Sequence, residues 1–279
     1  MIIATWNVNS IRVRLGQIKE WLKEINPDLL CLQETKVEDA LFPLKDFEEI
    51  GYKSYFHGQK SYNGVALLSR DTIEDIRYGF SGEIETNKIQ EKFQNQKRII
   101  SCLIKGVRVV NIYVPNGSEI DSDKYFYKVE WLNLLNEYLI NQSKREEPLV
   151  LLGDFNIALE DRDIHSPEKL SGGIMASSLE RELLTKILEP RLLDSFRIFE
   201  QDTNYWSWWN YRTRSWERDK GWRIDHIYLS QDLIPSLKSS RIHKEVRGNE
   251  QPSDHAPVLT EIEWPLEAIE VEEEEFFFS

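Results

Sequence analysis

Residues 149–157 read LVLLGDFNI, a short apolar run that stops on an Asp, a Phe and an Asn. A run of this length, too short for a helix, predicts a buried strand over 149–152, with the polar residues falling in the turn just beyond it. The same pattern recurs outward in both directions: strand-like segments occupy 2–6 (IIATW), 29–32 (LLCL), 64–69 (GVALLS), 98–104 (RIISCLI), 107–114 (VRVVNIYV), 224–229 (IDHIYL) and 257–263, the last alternating Val258, Thr260 and Ile262. Helical periodicity marks 14–25, where Leu15, Ile18, Leu22 and Ile25 share a face and Ser10 precedes as a cap, and returns over 124–140 and 177–188, the latter through Leu179, Leu183, Leu184 and Ile187. Strands outnumber helices, and the helices sit between groups of strands. The economical arrangement is an α/β (α+β) fold of two packed sheets with helices covering the outer faces. A faint internal echo, TWNVNS against LLGDFNI, hints at a pseudo-repeat.

A chain of 279 residues with 41% hydrophobic content can bury a full core, and no Gly/Ser/Pro-rich linker divides it. One domain over 1–264 is expected, followed by an acidic, disordered tail at 265–279. The N-terminal MIIATWNVNS resembles no targeting signal and no apolar run approaches membrane-spanning length, so a soluble, cytoplasmic protein is expected. Cys31 and Cys102 lie in apolar strand-like runs, as small buried hydrophobes in a reducing compartment would. The net charge of −13 argues superficially against a nucleic-acid partner, but the six glutamates between Glu267 and Glu275 belong to the tail and leave −7 on the rest. Bound metal would neutralise more, so an acidic chain that holds metal is not excluded from binding a polyanion.

Polar groups immediately after buried strands are where a rigid scaffold builds a site. They are Asn7 and Asn9 after the first strand, Glu34 after LLCLQ, Tyr113 and Asn116 in NIYVPNG, Asp154 and Asn156 in LLGDFN, Asp225 inside WRIDHI, and Asp254 with His255 in QPSDHAPV. Singly, each has a plain structural explanation, because Asn and Asp favour strand-end turns. Their joint order and spacing are harder to dismiss. An all-oxygen set such as Glu34, Asn9 and Asp254 suits Mg2+, and a phosphodiester needs an activated water, charge stabilisation at phosphorus and help for the leaving oxygen. Asp154 is the candidate base for the water, with Asn156 holding the phosphate or the water; a rival assignment puts Asp154 on the leaving group.

In TWNVNS, LLCLQETK, NGVALLS, NIYVPNG, LLGDFNI, YWSWWNYR, GWRIDHIYLS and PSDHAPV, taken in order from Met1 to about Trp264, the chain resembles the exonuclease III family of AP endonucleases, within the endonuclease/exonuclease/phosphatase superfamily. The resemblance implies a four-layer αββα sandwich of two mainly antiparallel sheets and a divalent-metal site. It also implies hydrolysis of duplex DNA 5′ to abasic sites, leaving 3′-hydroxyl ends, with 3′–5′ exonuclease activity and trimming of blocked 3′ ends. By resemblance Glu34 is the principal ligand of Mg2+ (Mn2+ as a substitute) with Asn9 beside it, differing from relatives that carry Asp there; Asp254, His255, Asp154 and Asn156 complete the residues near the metal. Asp225 would accept one ring N–H of His255 while the other faces phosphate, and Tyr113 and Asn7 would complete the phosphate cradle. His226 points the opposite way from Asp225 on a strand and stays out of the site. Asp161 and Asp163 lack a calcium-loop pattern and read as turn residues. The implied state is a monomer acting on DNA, with no membrane partner.

Trp206, Trp208, Trp209, Trp216 and Trp222 place five of nine tryptophans within seventeen residues, interleaved with Arg212, Arg214, Arg218, Lys220 and Arg223. Such a loop suits a DNA surface that grips phosphates and pockets an unstacked nucleotide, although a plain core role explains about half of the indoles. By resemblance Trp208, Trp222 and Ile224 line the pocket for a flipped-out abasic sugar, with Asn116 nearby and Arg212 on the intruding loop; Asn210 replaces an acidic residue common in bacterial relatives. A phosphoinositide phosphatase or sphingomyelinase would share the metal motifs but lack the tryptophan loop. A silent nucleic-acid-binding regulator on the same scaffold would not need every catalytic position filled.

Overall fold

The computed structural model describes residues 1–81, 83–85, 89–189 and 191–264, so the expected acidic tail lies outside the described residues. Twelve strands run in chain order: β1 (Ile2–Asn7), β2 (Leu29–Gln33), β3 (Lys53–His57), β4 (Val65–Ser69), β5 (Glu74–Tyr78), β6 (Ile99–Ile104), β7 (Val107–Tyr113), β8 (Leu149–Asp154), β9 (Leu192–Asp194), β10 (Asp225–Ser230), β11 (Leu237–Ile242) and β12 (Val258–Ile262). The three long helices are α1 (Ile11–Ile25), α2 (Asp123–Ser143) and α3 (Ser178–Leu188). The strands form two six-stranded sheets, ordered β11-β12-β1-β2-β4-β3 and β5-β6-β7-β8-β10-β9.

Side-chain alternation explains why these strands read as continuous apolar runs. Val107 and Val109 of β7 point inward to meet Cys31, Val65 and Leu67 of the other sheet, while Val110 and Ile112 point outward under Trp131, Leu132 and Leu135 of α2 and Leu184 and Ile187 of α3. On the other side Ala4, Trp6, Leu30 and Leu32 pack under Ile18, Trp21 and Leu22 of α1. Strands covered on both faces carry little polarity, so β2, β4, β7, β8 and β10 are buried along their whole length. The result is the expected four-layer sandwich with mainly antiparallel sheets. Each sheet holds one parallel pair, β1–β2 and β7–β8.

Those two parallel pairs correct the expected echo. Each is closed by a crossover helix, α1 for β1–β2 and α2 for β7–β8, so the counterpart of TWNVNS is NIYVPNG, and that of LLCLQE is LLGDFN. Ser10 does stand at the start of α1, but its side chain makes no cap bond. Instead the Ser10 and Ile11 N–H groups donate to the Glu34 and Thr35 carbonyls, at 2.8 and 3.1 Å. The turns after β1 and β2 are thereby tied together.

Candidate active site

The two parallel pairs end at the same rim of the sandwich. In the registers Asn7 lies opposite Gln33, Tyr113 opposite Asp154, and Asp154 opposite Asp225, so the chain tips of both sheets deliver polar side chains to one place. Gly153 allows the approach of β8 to β7, since a Cβ there would lie 1.9 Å from the Ile112 carbonyl oxygen. Asn9, Glu34 and Asn156 all hold the left-handed backbone region (φ 43, 52 and 49), which turns each sharply out of its strand.

Hydrogen bonds knit these residues across the sheets. Asn7 Nδ2 donates to Glu34 Oε1 (3.1 Å) and Asp154 Oδ2 (2.8 Å), and the Tyr113 hydroxyl donates to Glu34 Oε1 at 2.6 Å. Asn156 caps Asp154, its backbone N–H reaching Oδ1 (2.9 Å) and its Nδ2 reaching Oδ2 (3.2 Å). Asn116 donates in turn to Asn156 Oδ1 at 2.9 Å. His255 Nδ1 meets Asp225 Oδ2 at 2.8 Å, which also accepts from Ser207 Oγ (2.7 Å), and the other ring nitrogen stands 3.8 Å from Asp154 Oδ2. His226 stays apart as expected, its Nε2 on the Ile157 carbonyl (3.0 Å).

Burial and these neighbours separate the proton affinities. Burial alone would depress the His255 imidazolium, but the carboxylates of Asp225 and Asp154 outweigh it and push the pKa up to about 10. Burial raises Asp154 to about 7 against the opposing pull of His255. Burial also acts to raise Glu34, yet Lys36, with help from Tyr113, holds it below the usual carboxylate range. Near neutrality the rim therefore presents an imidazolium, an ionised glutamate and an aspartate able to exchange a proton.

Among the described residues Asp154, Asp225 and His255 offer ligand atoms within 4.8 Å of one another, all buried, and Asp225 Oδ1 has no hydrogen-bond partner. Lys36 gives a second indication, because its ammonium lies 2.6 Å from Glu34 Oε2 and donates to Asn9 Oδ1 as well. A cation is thus already accommodated between the two oxygens that the resemblance assigns to the ion. Carboxylate and amide oxygens with one imidazole fit a hard divalent ion. Asp254 adjoins this set, its oxygens accepting from Asn9 Nδ2 (2.9 Å) and Trp208 Nε1 (3.0 Å).

The tryptophan segment divides in two. Trp206 and Trp209 are core residues, and Trp208 and Trp222 pair through reciprocal backbone hydrogen bonds of 2.9 Å. Trp222, Ile224, Met175, Ala158 and Ile164 form an apolar cluster against which Trp208 packs, and the Trp208 ring lies 6.4 Å from the His255 ring. Arg212, Arg214, Arg218 and Lys220 are exposed, and Asn210 Oδ1 accepts from the Arg212 N–H (2.9 Å), capping the turn. Arg223 is a correction: it is 1% exposed and cannot grip DNA. It alternates with Trp222 and Ile224, so its guanidinium points the other way into Asp163 (2.7 Å) and Asp194 (2.7 Å). Asp163 is correspondingly more than a turn residue, holding Arg197 at 2.5 Å too.

Sequence reasoning passed over Lys36 and Ser207, the first lying two residues beyond Glu34 in QETK and the second hidden between tryptophans. Their signal was proximity in sequence to residues already chosen. A groove of about 690 Å3 opens beside Tyr113 and Asn116, lined also by Arg98, Lys124, Tyr62 and Tyr127.

Twin sheets joined at a carboxylate–histidine rim define a phosphoester hydrolase of the endonuclease/exonuclease/phosphatase class. The chain belongs to the Endonuclease/Exonuclease/phosphatase family, whose pattern matches residues 4–255, and its relatives place it on the exonuclease III branch. Exodeoxyribonuclease III of Haemophilus influenzae is 33% identical over 94% of this chain and 99% of its own length. The 3′ phosphatase NExo from Neisseria, solved bound to a product DNA hairpin, is 40% identical with a TM-score of 0.89, covering 95% of this chain and 100% of that one. An AP endonuclease from Archaeoglobus fulgidus is 38% identical with a TM-score of 0.87, covering 94% and 99%. No described helix is long and apolar enough to cross a membrane.

Proposed function

We propose that this protein is a Mg2+-dependent DNA-repair phosphodiesterase that cuts duplex DNA 5′ to abasic sites and trims blocked 3′ ends, working as a monomer inside the cell. The observation that carries the reading is the adjacency of the His255–Asp225–Asp154 rim to the apolar cluster of Trp208, Trp222 and Ile224. One catalytic domain over 1–264, followed by the acidic tail, belongs to the same reading. Glu34 and Asn9 would hold the ion, with Asp154, Asn156 and His255 close by, and Mn2+ should substitute. When bound, the ion supplies Lewis-acid stabilisation of charge on the phosphate. Asp154, poised near neutrality, takes the proton of the attacking water as the new P–O bond forms and the bond from phosphorus to the 3′ oxygen breaks, that oxygen picking up a proton to leave as the 3′-hydroxyl. Asn7 and Asn156 fix the Asp154 carboxylate. His255, kept cationic by Asp225, faces the scissile anion. Tyr113 and Asn7 complete the phosphate cradle, with Asn116 on the side of the abasic pocket.

The direct test is a duplex carrying one tetrahydrofuran abasic analogue, with cut position and end chemistry mapped in Mg2+ and in EDTA. A single cut 5′ to the analogue with a 3′-hydroxyl is expected in Mg2+ alone. Glu34→Gln should lose most activity at low Mg2+ and recover part of it at high Mg2+; undiminished wild-type cutting in excess EDTA would sink the metal assignment.

Selectivity should come from the indoles. An abasic nucleotide has no stacking to lose, whereas extruding an intact one costs a few kcal/mol, and a wall that packs on a bare sugar leaves no room for a base. Trp222→Ala is expected to narrow the ratio of kcat/KM between abasic and intact duplex while leaving metal affinity alone. If Trp208→Ala and Trp222→Ala both keep the wild-type ratio, the indoles belong to the core and selectivity arises elsewhere.

A further inference from the structure

Lys128 of α2 and Glu180 of α3 break the pattern of their own helices. Lys128 precedes Leu132, Leu135 and Leu139 on the buried stripe of α2, and Glu180 precedes Leu184 and Ile187 on that of α3, positions where a charge is costly unless it is fully paired. Both side chains are 0% exposed and their charged ends meet at 2.5 Å. The remaining bonds show where the pair is directed. Lys128 Nζ also donates to the backbone carbonyl of Asn156 at 2.7 Å and to that of Asn116 at 3.4 Å. Glu180 accepts from the N–H groups of Met175 (3.2 Å) and Ser177 (3.0 Å), and Met175 is a member of the apolar cluster beside Trp222, held at φ 65.

One buried ion pair therefore reaches three turns at once: the one after β7, the one after β8, and the one leading into α3. Stability alone does not account for it, since an apolar pair of similar volume commonly serves a core as well or better. We infer that Lys128 and Glu180 are positioning residues: they fix the Asn116 and Asn156 turns, and through the two Asn156 hydrogen bonds they hold the Asp154 carboxylate in its reactive orientation. Asn156 has a left-handed backbone, and its carbonyl orientation is set by the ammonium rather than by a strand ladder. With that donor gone the turn is free to relax, and displacement of a reacting group by about 1 Å can cost on the order of 100-fold in rate.

The inference rests on Asp154 acting in catalysis, and the experiment separates the two. Lys128→Met/Glu180→Gln removes both charges and keeps an acceptor for the Met175 and Ser177 N–H groups, so it should fold with a Tm close to wild type while kcat on the abasic-analogue duplex falls by about ten-fold or more, with KM little changed. In an Asp154→Asn background the same double substitution should lower the residual kcat no further, because both changes act on one group. A purely structural pair predicts otherwise: kcat would return with Tm, or the losses would multiply in the Asp154→Asn background, and either result overturns the inference. Should that pair not fold, Lys128→Leu/Glu180→Gln is read by the same two criteria. If Asp154→Asn alone leaves kcat intact, it is the catalytic assignment that fails.

Discussion

Asp154→Asn is expected to lower kcat by at least about 10²–10³, the scale seen when one preorganised electrostatic group is removed, while DNA affinity changes little. The same substitution should make the metal-free protein more stable at pH 8. The sign follows from the raised carboxyl pKa. Asp154 titrates near 7 when folded against an ordinary value of 3.8, so between those limits the folded state binds more protons and its stability falls as pH rises. Asparagine escapes that cost. In EDTA the gain in Tm of Asp154→Asn over wild type should therefore grow from pH 4 to pH 7 and then level off. A variant that lost activity and stability together would mean that Asp154 is a structural acid.

His255→Ala should cost kcat a comparable about 10²–10³, with the abasic duplex still bound, if the imidazolium faces the phosphate as proposed, where negative charge develops. Here the linkage has the opposite consequence for the intact residue. The folded pKa lies near 10 against 6.5, so the cation stabilises the fold fully below about pH 6.5 and that contribution fades as pH rises toward 10. His255→Ala should lower Tm more at pH 6 than at pH 10. Loss of binding with kcat intact would remove His255 from the chemistry.

What the sequence made legible was decided by burial on two faces. The strands covered by helices on one side and the partner sheet on the other, such as β2 and β8, had to be apolar throughout and announced themselves. β3, β5, β9 and β11 were not foreseen: KSYFH, EDIRY and LKSSRI sit at sheet edges, mix exposed with half-buried positions and show neither a run nor a clean alternation. Asn7, Glu34, Asp154 and His255 were readable because each follows or borders a strong strand. Arg223 was misread because charge suggests a surface, and nothing local shows that Asp163, sixty positions earlier, waits to bury it. Lys128 and Glu180 left a trace in the helical spacing, but only the fold shows that the two traces meet.

The rim belongs to neither sheet. Asn7 donates across to Asp154, Tyr113 across to Glu34, and His255, from the segment entering β12, across to Asp225, while Gln33 and Asn111 meet at 2.7 Å deeper in the seam. Sliding one sheet over the other would sever all of these together, yet it would cost little in the backbone ladders, which run within each sheet. Catalytic competence is in this sense a gauge of interlayer shear. Mild denaturant or hydrostatic pressure that lets the layers slip should extinguish turnover while circular dichroism still reports intact strands and helices.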